Sequence, residues 1–378
     1  MAGIYIHIPF CRQACHYCDF HFSVSQNNRP ELLSSLKQEL QFRASELKQH
    51  TVESIYFGGG TPSLLTSDEL NVLLDTVYTC FSVAEDAEVT LEANPDDLTE
   101  AWLHGLRGTK VNRLSIGIQS FRDEDLLAMN RAHNSRQALD CVPRACDAGI
   151  VNISIDLIFG WPGLSFEAWQ KNVEQALSLP VQHLSCYGLT IEEKTALSWQ
   201  LSKGKINSPD EEIAAQQYEF LLQVAEEAGI PWYEISNFSR PGFASRHNTA
   251  YWHGKHYLGI GPSAHSFNGS SRQWNISSNS KYIESLHNNI LPAEKETLSN
   301  RQMVNEYILT HLRLKEGCNK NFISEKFGES FLRKIETSIQ KFEKKGQLVI
   351  NDDSFLLSNE GKLFADAIAA DLFFMDEV

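Results

Sequence analysis

A chain of 378 residues with a formal net charge of -15, 42% hydrophobic and 21% charged residues has enough apolar material for one large domain and a smaller companion. No run approaches the ~20 apolar residues of a membrane helix, and the start, MAGIYIHIPFCRQAC, lacks a basic segment, a long apolar run and a small-residue cleavage site, so a soluble cytoplasmic protein is expected. The acidic balance argues against nucleic acid or anionic membrane as partner, because both reward clustered Lys and Arg.

Apolar runs rich in β-branched residues recur along the first two thirds, at 4–8, 52–57, 88–92, 111–118, 151–159 and 183–189. Helical stretches, several opened by Ser, Thr or Asp, alternate with them at 31–45, 67–81, 123–129, 135–148 and 166–179. Regular alternation implies a parallel sheet with right-handed crossovers, and six such units suit a partial (β/α) barrel. In barrels the chemistry sits at the C-terminal ends of the strands. A further helix at 210–228 and a strand at 230–235 close this domain, giving boundaries of 1–235. Residues 236–296 read as a loop-rich segment full of Gly, Ser, Asn, His and aromatics. From 297 to 378 the pattern becomes helix, helix, helix and two short strands, a smaller, mainly helical winged-helix-like domain. That architecture often binds DNA, but the acidity of the chain makes a packing or partner-docking role equally reasonable.

Of eight cysteines, Cys11, Cys15 and Cys18 crowd a short loop directly after the first strand, while Cys80, Cys141, Cys146, Cys186 and Cys318 are scattered. In a reducing compartment such a cluster points to metal binding or catalysis rather than to disulfides. Thiolates with three and then two intervening residues can converge on one iron-sulfur centre. Zinc is the alternative, with His16 or His21 completing a tetrahedron. Three cysteines leave one iron of a four-iron cluster without a protein ligand and open to a small molecule.

The spacing C-x3-C-x2-C within IHIPFCRQACHYCDF resembles the signature of the radical S-adenosylmethionine superfamily, in the branch that contains oxygen-independent coproporphyrinogen III oxidase. The resemblance implies a [4Fe-4S] cluster whose open iron chelates S-adenosylmethionine, an electron donor that reduces it, and cleavage to a 5'-deoxyadenosyl radical. Gly59, Gly60 and Thr61 in YFGGGTPS resemble the glycine motif that receives the amino group of the cofactor. Tyr5, Glu92 in LEANPDD, Gln119 in SIGIQSF, Arg131 in MNRAH and Asp156 in SIDLIFGWPG likewise resemble cofactor-contacting positions. Their chemistry suits such a role: carboxylates accept from ribose hydroxyls or an ammonium, and an Arg pairs with a carboxylate. Taken alone, each is equally readable as a structural hydrogen bond, and Tyr5 as a half-buried strand aromatic.

Two features depart from the oxidase. Phe20 occupies the position of its fourth cysteine, and the chain begins almost at the cluster, without the oxidase's longer N-terminal segment. The run Arg246-His247-Asn248-Thr249-Ala250-Tyr251-Trp252 instead resembles the H-N-x-x-Y-W motif of the heme-chaperone branch. That resemblance implies heme as a ligand, with His247 as a candidate axial ligand, and heme-accepting proteins as partners. His253, His256 and His265 compete for that role, and a second copy of the chain is a further candidate partner. The expectation is therefore a heme chaperone, with a radical enzyme of porphyrin synthesis as the alternative.

Overall fold

The structure, a computed structural model, describes residues 2–375. Six parallel strands, β1 (Ala2–Ile8), β2 (Val52–Gly59), β3 (Val83–Ala93), β4 (Arg113–Gln119), β5 (Ile153–Phe159) and β6 (His183–Gly188), lie side by side in sequence order. Each is joined to the next through helix, as a (β/α) barrel requires.

Sequence dictates the two faces of the wall. In β1, Ile4, Ile6 and Ile8 are fully buried in the same core as Leu32, Leu36 and Leu40 of the helix Arg29–Phe42. The residues between them, Tyr5 and His7, point to the opposite face, because strand side chains alternate with period two. The same alternation separates Ile155 and Leu157 of β5 from Asp156. The leucines repeat every four residues and so form one stripe of their helix, each worth about 1.5–3 kcal/mol on burial. Caps fix where helices begin: Thr66 and Glu69 form a reciprocal capping box at the helix Ser67–Cys80.

Residues 236–296, expected as loop, contain more regular structure than the sequence suggests. After β7 (Trp232–Glu234) come β8 (Asn237–Ser239), β9 (His256–Ile260), β10 (His265–Phe267), β11 (Ser271–Asn275) and β12 (Ala293–Thr297). They extend one sheet of order β12-β11-β10-β9-β1-β2-β3-β4-β5-β6-β8-β7, with β9 parallel to β1 and β8 antiparallel to β6. Strands of three to five residues rich in Ser, Asn and Gly carry too little alternation to be recognised locally.

A buried ion pair ties this extension to the barrel. Glu39, fully buried in its helix, accepts from Arg43 (3.1 Å), the Gly261 amide (2.8 Å) and Asn275 (2.8 Å), and the Tyr282 hydroxyl also donates to it. The C-terminal region packs the helices Asn300–Leu312, Lys320–Phe327 and Glu329–Lys344 on a small antiparallel sheet of β13 (Cys318–Asn319), β14 (Leu348–Ile350) and β15 (Ser354–Leu357). Its own core includes Ile308, Ile323, Ile335, Ile339 and Phe355. Among the described residues no helix is long and apolar enough to cross a membrane.

Candidate functional site

The cysteine loop leaves β1 at the C-terminal end of the barrel, where Cys11, Cys15 and Cys18 are all partly exposed. It is pinned from several sides. The Cys11 amide donates to Ser23 O (3.0 Å), the Ser23 amide to Pro9 O (2.8 Å) and the His16 amide to Met129 O (3.0 Å). Burial pushes the Cys18 thiol up to about 12 and raises that of Cys11, so unliganded thiols stay protonated there. A cationic metal centre reverses that preference and draws out thiolates. Among the described residues no three His, Cys, Asp or Glu side chains gather round one point as ligands of a single ion. A four-iron cluster presents its irons at separate corners, so its thiolates need to ring a space rather than meet. His16 and His21 are both engaged, with Ala128 O (2.9 Å) and Asn279 Oδ1 (2.8 Å). Phe20 is exposed beside the loop.

The expected cofactor residues lie along the inner wall next to this loop. Glu92 of β3 accepts from the Tyr56 hydroxyl (2.9 Å) and from the Gly59 amide (3.2 Å). Burial, with Asp156 nearby, pushes its carboxyl up to about 7, and burial pushes Asp156 up to about 6. Two half-buried carboxyls poised to ionise suit a site that receives a cation. Thr61 donates to Cys11 Sγ (3.6 Å), and Arg131 donates to Cys15 Sγ (3.4 Å), Asn94 Oδ1 (2.7 Å) and Gly117 O (2.6 Å). The Arg131 Nε is buried without a partner, a donor left for an anionic group. Gln119 ends β4 in the left-handed region at φ 69°, a strained position of the kind functional sites retain. Gly60 is required by closeness: a Cβ there would sit 2.7 Å from Phe10 O and 2.8 Å from Ile8 O. Tyr5 is tied to the wall through His7, whose Nε2–H donates to His21 O (2.9 Å), leaving Nδ1 to accept from Tyr5 (3.1 Å).

The structure thus groups Cys11, Cys15, Cys18, Thr61, Arg131, Glu92 and Asp156, and adds Tyr56, Asn94 and Ser115, the last donating to Asp156 (3.3 Å). Asn94 stands two residues after Glu92 in the same LEANPDD run, so its signal was available. Tyr56 stands two residues before Gly58, the first of the three glycines, but reads as an ordinary strand aromatic.

His247 is placed differently from the expectation of an open ligand. The short helix Arg246–Trp252 enters the barrel with its first turn on Glu88, which accepts from the Arg246 (3.1 Å) and His247 (3.2 Å) amides. The imidazole is buried, stacked on Tyr56 (5.0 Å between ring centres), and both nitrogens are bonded: Nδ1 with Ser54 Oγ (2.8 Å), Nε2 with the Tyr251 hydroxyl (3.0 Å). Binding iron there requires Tyr251 to let go. The motif's spacing says nothing about which side of the helix faces the protein interior.

Tyr251 and Trp252, by contrast, wall a cavity of about 1030 Å³ between this helix, the barrel and the helices of the C-terminal region. His253 and His311 also line it, whereas His256 packs on His50 (4.4 Å) and His265 on Trp274 (6.3 Å).

Residues 5–176 match the radical SAM superfamily model and residues 298–364 the HemN C-terminal domain model. Over 97% of its length the chain is 33% identical to the heme chaperone HemW of Bacillus subtilis, 98% of which is covered. It is 35% identical over 98% of its length to heme chaperone HemW of Mycobacterium tuberculosis, covering 94% of that protein. The chain belongs to the HemW family. A vertebrate relative, mitochondrial radical S-adenosyl methionine domain-containing protein 1 of Danio rerio, is 31% identical over 97% of the chain and is covered to 86%. Among solved structures, coproporphyrinogen III oxidase (HemN) from Escherichia coli superposes with a TM-score of 0.85 at 21% identity, over 98% of this chain and 90% of that one. This chain and that oxidase therefore share the partial barrel and the C-terminal helical domain described above.

Proposed function

We propose that this protein is a heme chaperone that holds a [4Fe-4S] cluster and S-adenosylmethionine and passes heme to heme-requiring proteins. The observation that carries the reading is the presence in one chain of two features: a cysteine loop ending in Cys18-Asp19-Phe20, and an aromatic cavity walled by Tyr251 and Trp252 of the His247 motif. Cys11, Cys15 and Cys18 would hold the cluster. Glu92 and Asp156 would accept from the ammonium and ribose of S-adenosylmethionine, Arg131 would meet its carboxylate, and Gly59, Gly60 and Thr61 would admit its backbone-sized end. Gln119 and Tyr5 complete the wall. When bound and reduced by an external electron donor, cluster and cofactor supply one-electron chemistry. In the chaperone reading their occupancy governs when heme is held or released.

A second reading is favoured by the fold shared with the oxidase: dehydrogenation of coproporphyrinogen III. The test is anaerobic incubation of reconstituted protein with coproporphyrinogen III, S-adenosylmethionine and reductant, with heme titrated in parallel. Saturable heme binding without protoporphyrinogen is expected; accumulation of protoporphyrinogen overturns the chaperone reading.

A further inference from the structure

The heme seat can be narrowed to particular residues, an inference that rests on the heme-chaperone reading. A cavity of about 1030 Å³ lies at the upper end of the ~300–1,000 Å³ typical of ligand pockets, large enough for a macrocycle. Its walls have the character a porphyrin requires. Tyr251 and Trp252 approach from the barrel side, Tyr307 and Phe322 from the C-terminal helices, the latter two already stacked at 4.8 Å. Trp252 Nε1 is buried without a partner. Lys255 and Lys326 stand on the wall as cations for propionates. Four carboxylates share the wall: Glu306 is paired with Arg272 (2.8 Å) and Glu234 with Arg313 (3.8 Å), and Glu316 and Glu325 also line it.

Two imidazoles share this cavity. The rings of His253 and His311 stand 5.9 Å apart with planes crossed at 76°. With metal–imidazole bonds of about 2 Å, two rings flanking one metal atom have centres about 6 Å apart. The hydrogen bonds of His311 set its tautomer. Its Nδ1 lies 3.1 Å from Tyr307 O and 3.0 Å from Thr310 Oγ, and that hydroxyl already donates to Glu306 O (2.8 Å). Both neighbours therefore act as acceptors, Nδ1 carries the proton, and Nε2 presents a lone pair. A ring held by an Nδ1–H to a backbone carbonyl is the usual arrangement of a metal-binding histidine.

We propose that heme binds in the cavity between the helix Arg246–Trp252 and the C-terminal helices, with His311 and His253 as its iron ligands. His247 is then a positioning residue: it holds the Tyr251 hydroxyl from inside the barrel and so sets the cavity's inner wall. It also links that wall to Tyr56 and Glu92 of the S-adenosylmethionine site.

The test titrates heme into the full, cluster-loaded chain and records absorption and electron paramagnetic resonance. His311→Ala and His253→Ala alter side chains that are at least partly exposed, so folding should survive, which retained iron content verifies. Each should convert the low-spin signature of two nitrogen ligands to a high-spin form. Each should also weaken binding by about tenfold or more, given that even outer partners of metal ligands are worth about 10- to 100-fold. Added imidazole should restore the low-spin form in His311→Ala. His247→Ala should retain the low-spin signature even where affinity falls. Unchanged spectra in both His311→Ala and His253→Ala, or a signature lost only in His247→Ala, would overturn this assignment while leaving the chaperone reading intact. Failure of the wild-type protein to bind heme would remove both.

Discussion

Replacing Glu92 with Gln should make the cofactor-free protein more stable at pH 8 and leave its stability nearly unchanged at pH 5. The carboxyl is half-buried on the barrel wall, and its desolvation raises the midpoint from the ordinary 4.5 to about 7. The folded protein holds that proton more tightly than the unfolded chain does. Stability is therefore fullest below about 4.5 and declines as pH rises towards 7. Above pH 7 the ionised, unliganded carboxylate costs about 3 kcal/mol, at ~1.4 kcal/mol for each tenfold change in proton affinity. A Gln side chain removes that cost, but its amide group must face either the Tyr56 hydroxyl or the Gly59 amide, both donors to Glu92. One lost hydrogen bond costs about 1 kcal/mol. The net gain is about 2 kcal/mol at pH 8 and shrinks to about zero at pH 5, where the folded carboxyl is neutral but the unfolded one has already begun to ionise, so about 1 kcal/mol of the decline offsets the lost hydrogen bond. Urea unfolding of the cluster-free protein at the two pH values measures both numbers. The same variant should bind S-adenosylmethionine about tenfold more weakly or worse, because a charge-assisted hydrogen bond is gone. A stability difference that is the same at pH 5 and pH 8 would refute the reasoning.

Three further outcomes follow from the packing. Changing any one of Cys11, Cys15 or Cys18 to Ala should lower anaerobic iron content from about four per chain to near zero and remove the brown cluster absorption. Glu39→Ala should destabilise the protein by about 3–5 kcal/mol in urea unfolding, because Arg43, itself almost fully buried, loses a buried charge partner. Gly60→Ala should abolish S-adenosylmethionine binding in calorimetry, since a Cβ 2.7 Å from Phe10 O displaces the start of the cysteine loop; unaltered binding would show that the loop tolerates the shift.

Much of the barrel is legible because its strands are apolar runs rich in β-branched residues and most of its crossover helices show an apolar stripe; the short helix Glu100–Leu106 between β3 and β4 is not among the expected ones. The cysteine loop and the glycine motif were readable for another reason: their chemistry is set by neighbours within a few residues. What escaped depends on distant groups. Asn94 becomes a partner of Arg131 only when β3 and the loop after β4 come together. Glu39 looks like a solvent-facing residue of an amphipathic helix, and only β9 to β11, too short to recognise, bring Gly261 and Asn275 to it. His247 sits in a legible motif, yet the face it turns inward is decided by Ser54, Tyr56 and Glu88 of the barrel. His311 is not legible as a cavity residue, because nothing local marks a helix histidine that lines a cavity shared with a segment some sixty residues earlier.

The most direct test of heme delivery is transfer itself. Protein carrying its cluster and one equivalent of heme is mixed anaerobically with a heme-free acceptor hemoprotein, with and without S-adenosylmethionine, and the Soret band is followed as the acceptor fills. The account predicts saturable loading followed by appearance of the acceptor's own spectrum, at a rate that responds to S-adenosylmethionine. Heme that never binds saturably, or that binds and stays with the protein under every condition, would contradict it.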